Sequence, residues 1–436
     1  MSSLNYQKQL SVRHQTDVLV VGGGPGGCAA AWSAAKTGAR VLLLEGQSCL
    51  GGLGTAGMVP AFMEFSDGVH FYANGFGRLL LDRLSALGEA IGQPQLAEEI
   101  KVDTLKRVYE DLLTEAGVEF VFHTQLIDVL TSNGHIDAAV FAAKSGMFAV
   151  TAGMYIDGTG DGDLCVWAGA PYQKGDENGQ MMAGTLCQLW AGIDWSHWTC
   201  NDDTHIRKAI TDGVFTTPDP HLPGIWKISE QGIGGGNVGH AFGVDGTDER
   251  SLTRALVHSR KLVDEYRRYY QEYLTGYENM ELVTTAPMMG IRETRRIEGE
   301  ETLTVDAFHA RAVFDNEIGR YCYNIDTHAA KPTAEAFEKF HHDHTTLRYK
   351  PGESYGLPYG ILVPRGVDNL FVTGRCVSTD RPMQSSVRVM PGCYITGQAA
   401  GAAAQLALET NRAPKDVDVR TLQSRLKGLG AYLPNA

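Results

Sequence analysis

The sequence predicts a mixed α/β protein: a domain built on a parallel sheet with a β-meander, interrupted by an inserted α+β domain. Three observations predict it. A short β-branched run, a glycine turn, a small-residue helix and a second strand follow one another between Val18 and Glu45. Two strand-like runs, HIDAAVFAA and MFAVTAGMYID, then lead back to the parallel sheet at residues 154–157. Strands and a small-residue helix return only after residue 357, beyond a long stretch of different texture.

Each element has a physical reason. Residues 18–21 are too short for a helix and end in glycine, as expected of a central parallel strand covered on both faces. Gly22, Gly24 and Gly27, with Pro25 among them, occupy the G-x-G-x-x-G positions. The first allows a tight turn, the second lets a pyrophosphate approach the backbone, and the third lets the helix pack on the strand. Amides at the helix N-terminus would face the phosphates with their partial positive charge. Residues 28–36, rich in Ala and Ser, can lie close to a sheet; Gly38 ends the helix and Val41–Leu44 is the next strand. Glu45 follows Gly27 by 18 residues, close to the roughly 20-residue spacing of an acid that accepts a ribose hydroxyl. The series predicts a Rossmann-like dinucleotide-binding unit.

Further along, residues 51–62 form a glycine-rich passage with the character of a ligand-covering loop, containing Gly52, Leu53, Gly54 and Thr55. Helices are predicted over 71–88 and 101–116, the latter with Leu105, Val108, Leu112 and Leu113 on one face. Gly117 ends it, and GVEFVFHTQLIDVL reads as a strand before the meander. From Met181 tryptophans, histidines and loop residues dominate as far as Gly246, and a long helix is predicted over about 248–274. After Leu357, GILVPRGVDNLFVTGRCV reads as a pair of short strands, and a small-residue helix is predicted over 397–408. The organisation expected is a discontinuous domain of residues 1–180 plus 350–436 around a substrate or cap domain of 181–349, with part of 58–100 a candidate addition.

Composition excludes some partners. The 436 residues, 43% hydrophobic and 20% charged, can build a sizeable core. A net charge of -13 and a pI of 5.5 argue against a nucleic-acid groove and against electrostatic binding to anionic membrane. No run approaches the roughly 20 apolar residues of a membrane helix. The polar start, MSSLNYQKQLSVRHQTD, has no signal-peptide core, so a cytoplasmic location is expected. Eight scattered cysteines show no C-x-x-C, zinc or iron–sulfur spacing, and no metal is expected.

Gly234, Gly236 and Gly239 also satisfy G-x-G-x-x-G. KISEQGI before them is not a buried strand, and another turn follows, so one dinucleotide site is expected. The loop reads equally well as a surface turn or as a cover over a substrate, with Asn237 and His240 inward.

Three later segments choose the dinucleotide by resemblance: YIDGTGDGDL, with Gly160 and Asp161; VPRGVDNLFVTGRCVS, with Gly374 and Arg375; and SSVRVMPGCYITGQAAG, with Pro391 and Gly392. With these the chain resembles the FAD-dependent oxidoreductases of the glutathione-reductase-like superfamily, distantly akin to the flavoprotein subunits of succinate dehydrogenase and fumarate reductase. The resemblance runs from Asp17 to about Leu408. It implies FAD as cofactor, Gly374 and Arg375 near its pyrophosphate, residues 51–57 along the flavin, and a helix N-terminus facing the ring. Positive dipole there would stabilise charge on the reduced ring. Covalent attachment through His70 or Cys49 is open, though nothing requires it.

A flavin carries the hard step, so the protein supplies orientation, electrostatics and a proton acceptor or donor. MMGIRETRRIEGE sets Arg292, Arg295 and Arg296 beside Glu293 and Glu298; YNIDTHAAKP sets Asp326 and His328 two apart, on one face of a strand. Both resemble elements of the family, and Arg388 precedes the flavin-facing helix. His328 is the expected general base, since an ordinary pKa near 6.5 suits proton transfer at neutral pH. Arg388 and Arg292 would stabilise negative charge or clamp a polar substrate. Arg295 and Arg296 equally suit internal ion pairs. His240 and His309 are weaker alternatives, and Tyr359 suits a plain turn as well as a flavin contact. The reaction expected is oxidation of a C–OH or C–N bond of a small polar organic substrate, with oxygen or a redox partner as electron acceptor. Reduction of an activated alkene, and a non-catalytic flavin-binding sensor or subunit, are the alternatives; a histidine-bearing aromatic cap favours catalysis.

Overall fold

The computed structural model describes residues 4–89, 97–221 and 224–436. Its first strand, Val12–Val21, is buried over the last four residues and lies parallel between Val41–Leu44 and Gly146–Asp157. Glu119–Val121 extends the parallel sheet beyond Val41–Leu44, and Leu370–Val372 pairs in parallel with the end of Gly146–Asp157. Burial on both faces explains why residues 18–21 and 41–44 read as unbroken apolar runs. Gly146–Asp157 changes partners along its length. Its first half pairs antiparallel with His135–Ala143, which pairs with Gln125–Ser132, giving the predicted meander. Its second half joins the parallel sheet and delivers Asp157 beside Val21 and Val372.

The glycine-turn helix, Pro25–Lys36, packs on the long helix Met390–Thr410. Small residues are obligatory in this contact. A Cβ on Gly397 would lie 2.1 Å from the Gly26 carbonyl oxygen, and one on Gly401 2.0 Å from that of Ala30. Ser33 Oγ donates to the Gln398 carbonyl at 2.8 Å, so its hydroxyl is satisfied in the buried seam.

A four-stranded antiparallel sheet runs in the order Gly224–Ser229, Ile233–Asn237, Gln188–Ala191, Glu281–Thr285. With helices Asp203–Thr211 and Glu249–Tyr273 it encloses a separate core of Trp190, Ile206, Leu262, Tyr266 and Tyr270. The main core also takes in Ile297, Leu303, Ile318, Tyr321 and Ile325. Among the described residues, no helix is long and apolar enough to cross a membrane.

Several elements differ from the sequence expectation. Gly234, Gly235 and Gly236 lie in a paired strand, not a loop, and neighbouring side chains fill the space where theirs would be: Ile193 and Ile225 at Gly234, Pro60 and Ile228 at Gly235, Gln188 and Trp190 at Gly236. An antiparallel hairpin cannot aim helix amides at phosphates, so the exclusion of a second dinucleotide site keeps a different physical reason. Residues 359–362 form a 3-10 turn, leaving Leu370–Val372 as the one strand of the expected pair. The long C-terminal helix begins at Met390 because Pro391 suits a first helical turn. The strand expected after Gly117 breaks near His123, whose φ is +52°. Of the 58–100 stretch, residues 90–96 lie outside the described residues.

Candidate active site

The carboxyl ends of the parallel strands open into a cavity of about 470 Å³, the place where doubly wound sheets bind ligands. Gly22, Gly24, Pro25, Glu45, Gly52, Leu53, Gly160, Asp161, Gly374 and Arg375 line it from the sheet side. Leu252, Leu256, Met288, Met289 and Ile291 close it from the other part of the chain.

The three motif glycines do different work. Gly22 has φ +92° and a Cβ would meet the Gly158 carbonyl oxygen at 2.6 Å; at Gly27 it would meet that of Gly22 at 1.9 Å. Both are demanded by the fold itself. Gly24 is not: its φ is -67°, and the nearest atom to an added Cβ is 3.7 Å away. What its bare Cα keeps open is the cavity, beside a helix N-terminus with unpartnered amides. That is the fit a dinucleotide pyrophosphate requires.

Glu45 accepts from the Gly23 and Gln47 amides at 2.6 and 2.7 Å. Burial nevertheless pushes its carboxyl above the usual range. Arg375 donates to Asp161 at 2.6 Å, Thr294 donates to the same oxygen at 2.6 Å, and Arg375 Nε is buried without a partner. Asp157, which sequence reasoning did not single out, accepts from the Thr159 amide and hydroxyl and from the Cys165 amide at 2.7–2.9 Å. It fixes the turn that carries Gly160 and Asp161. An acid ending an apolar strand just before GTG was its signal.

Other expected cofactor residues lie behind the lining. Gly27 is packing, Gly54 faces Met390, and Thr55 faces a second cavity of about 490 Å³ together with Cys49. Pro391 and Gly392 stand in the first turn of the helix whose Cys393 lines the main cavity. His70 stacks near Tyr432, with ring centroids 5.2 Å apart. Neither His70 nor Cys49 lines the main cavity.

A buried polar chain leads away from Arg388, which does line the cavity. Arg388 Nη2 donates to Asp326 Oδ2 at 2.9 Å, and Asp326 Oδ1 lies 3.3 Å from His328 Nε2. His328 Nδ1 lies 3.0 Å from His240 Nε2. His240 Nδ1 lies 2.9 Å from Asp219 Oδ2, bent away from hydrogen-bond alignment. Burial alone would raise Asp326, but His328 and Arg388 beside it hold the carboxyl well below the usual range. Burial pushes His328 well down, with the Arg292 charge adding to it. Arg292 donates to the Ala183 carbonyl at 2.8 Å, to Thr185 Oγ1 at 2.9 Å and to Asn237 Oδ1 at 3.4 Å. It makes no ion pair among the described residues. Burial and the neighbouring Arg388 charge lower its guanidinium to about 10.

The geometry sorts the remaining candidates. Both nitrogens of His328 already have partners and its ring is not part of the cavity lining, so it stands as one member of a histidine pair rather than a lone base. Arg295 pairs with Asp163 at 2.6 Å and Arg296 with Glu293 at 2.7 Å, which is the internal ion-pair reading. His309 is exposed, and Tyr359 donates to the Pro414 carbonyl, away from the cavity. Sequence reasoning missed Asp219 and His221. Their signal is that DPH at 219–221 repeats the spacing of DTH at 326–328.

A family model described as FAD dependent oxidoreductase matches residues 17–426. The chain belongs to the FAD-dependent oxidoreductase family. Within that flavoprotein family FAD is the cofactor. Over 145 residues this oxidoreductase is 31% identical to thiamine thiazole synthase of Aeropyrum pernix, a match covering 31% of this chain and 47% of that protein. The match thus spans about half the length of the curated relative. Among solved structures it is similar to p-nitrophenol 4-monooxygenase of Pseudomonas putida, with 11% identity, TM-score 0.48, and 95% and 88% of the two chains covered. It is also similar to a geranylgeranyl bacteriochlorophyll reductase-like protein of Thermoplasma acidophilum, with 13% identity, TM-score 0.45, and 95% and 83% covered.

Proposed function

We propose that this flavoprotein oxidises a C–OH or C–N bond of a small polar substrate that carries a carboxylate or similar anion. The supporting observation is Arg292, a guanidinium held by neutral oxygens alone, with Arg388 as its charged neighbour. A desolvated cation calls for a counter-charge, and an anionic substrate group provides one with charge-assisted hydrogen bonds. FAD, when bound, supplies the acceptor for the hydride. The residues that would hold it are the turn at Gly22, Gly24 and Pro25, Glu45, Gly374 with Arg375, and the N-terminus of Met390–Thr410.

The chain's own groups do the rest. Leu252, Leu256 and Met289 give the cavity an apolar wall, beside which charge interactions are stronger than in water. The proton acceptor is the His240–His328 pair behind the lining, at the inner end of the polar chain that starts at Arg388. Asp326 faces His328 Nε2 and Asp219 lies beside His240 Nδ1, and the facing nitrogens, His240 Nε2 and His328 Nδ1, are close enough to share one proton. Arg388 positions this pair through Asp326. Oxygen or a redox partner then takes the electrons.

Anaerobic mixing of the FAD-loaded protein with hydroxy acids and amino acids, against neutral alcohols and amines of equal size, tests the reading. Bleaching of the flavin absorbance by the anionic set alone is the expected result, and Arg292→Met should weaken it at least tenfold. Equal bleaching by the neutral set refutes the anion. Reoxidation of chemically reduced protein by enoates, with no bleaching by either set, reverses the direction of electron flow.

A further inference from the structure

We propose that His221, His240 and His328 bind one divalent metal ion of zinc-like preference. Three ring nitrogens, one from each histidine, all lie within 4.8 Å of one another. Nitrogens bound at about 2.0–2.1 Å to a tetrahedral ion are themselves about 3.3 Å apart. The 3.0 Å separation of His240 Nε2 and His328 Nδ1 is already near that value. Small ring movements bring the third nitrogen in.

The surroundings are those of a ligand set. Metal-bound histidines usually direct their other nitrogen to a carboxylate, which fixes ring orientation and raises basicity. Here Asp219 lies 2.9 Å from His240 Nδ1 and Asp326 lies 3.3 Å from His328 Nε2. The inner nitrogens of both rings face each other at 3.0 Å. With both carboxylates behind them, the two nitrogens can each offer a lone pair to one cation. The His221 ring makes no side-chain hydrogen bond among the described residues, so its nitrogen is free to complete the set. Phe340 packs on His328 and His221, with ring centroids at 4.9 and 5.1 Å, and holds both rings in place. Three protein nitrogens leave a fourth position open to water or to a substrate oxygen.

Arg292 and Arg388 offset the two carboxylates, so the ion should exchange rather than remain locked. The proposal uses the same lone pairs as the proton acceptor of the oxidation reading and rests on that cluster alone. Ion and proton compete for one place.

The test uses full-length, FAD-loaded protein stripped with a chelator. Calorimetric titration with Zn²⁺ should give one equivalent, and electron paramagnetic resonance of the Cu²⁺-loaded protein should show splitting from imidazole nitrogens. His221→Ala and, separately, His240→Asn should each weaken Zn²⁺ binding at least tenfold while FAD content stays at one per chain. His309→Ala, outside the cluster, should bind as the parent does. No stoichiometric Zn²⁺ binding, or unchanged binding in His221→Ala, overturns the site. These readouts use neither substrate nor bleaching, so failure of the oxidation reading leaves them intact, and their failure leaves that reading standing.

Discussion

Gly24→Ala should separate the cofactor's demands from those of the fold. The backbone there, φ -67° and ψ -179°, is open to any residue. The added methyl meets the protein only at 3.7 Å, an ordinary contact. Alanine in place of glycine at the helix N-cap costs about 0.5–1.5 kcal/mol, and the stiffer unfolded chain returns about 0.4–1 kcal/mol. The FAD-free protein should therefore unfold in denaturant within about 1 kcal/mol of the parent. In the loaded protein the methyl stands where the pyrophosphate approaches the helix amides. Losing one charge-assisted hydrogen bond, about 1.5–3 kcal/mol, weakens FAD binding about 10- to 150-fold. Gly27→Ala is the opposite control, because its methyl would fall 1.9 Å from a backbone oxygen that cannot move aside. It should destabilise the FAD-free protein by about 1–3 kcal/mol or more. Flavin fluorescence titrations and urea unfolding read both. Parent-like FAD binding by Gly24→Ala would refute the placement of the cofactor in this cavity.

Other outcomes follow from the same geometry. Asp326→Asn leaves Arg388 and His328 without their shared carboxylate; a loss of about 3–5 kcal/mol in denaturant unfolding is expected, together with flavin reduction slowed about 100-fold or more in stopped flow. Glu45→Ala removes the acceptor of one buried and one half-buried amide, the buried one worth about 1.5–3 kcal/mol, and should lower both the melting temperature and FAD content. Arg292 gives a pH signature. Its guanidinium, lowered to about 10, keeps its charge below that pH and loses it above. Affinity for an anionic substrate should be flat up to about pH 10 and then fall about tenfold per unit, a break absent in Arg292→Met when binding is measured across that range.

The start of the fold was legible because its constraints are local. Gly22 is set by its own positive φ and Gly27 by its contact with Gly22 inside the turn, and the Ala-rich face of Pro25–Lys36 announces a close neighbour even though that neighbour, Gly397 with Gly401, comes some 370 residues later. Where short apolar runs stood alone, periodicity had no power. Residues 359–362 have the composition of a strand and form a 3-10 turn, and Gly234, Gly235 and Gly236 look like a loop yet form a strand whose missing side chains are replaced by Ile193, Pro60 and Gln188 respectively. In both cases the deciding atoms belong to a distant part of the chain.

The site depends on such distances throughout. His240 meets His328 across 88 positions, and Arg388 meets Asp326 across 62. The two D-x-H triplets were visible in sequence, but their pairing was not. Asp326 serves the histidine of its own triplet, whereas Asp219 turns to His240 and leaves the ring of His221 without a carboxylate. Buried polar groups are satisfied as a network, not residue by residue, and any one member can be satisfied in several ways. Arg295 and Arg296 show the same principle from the other side. Their sequence context suits a substrate clamp as well as an ion pair, and only the positions of Asp163 and Glu293 consume their charge. Arg292, one helical turn's length earlier in sequence, has no such partner among the described residues. The chemistry therefore gathers where the fold has left charge uncompensated, and that is a property of the assembled network which no single motif carries.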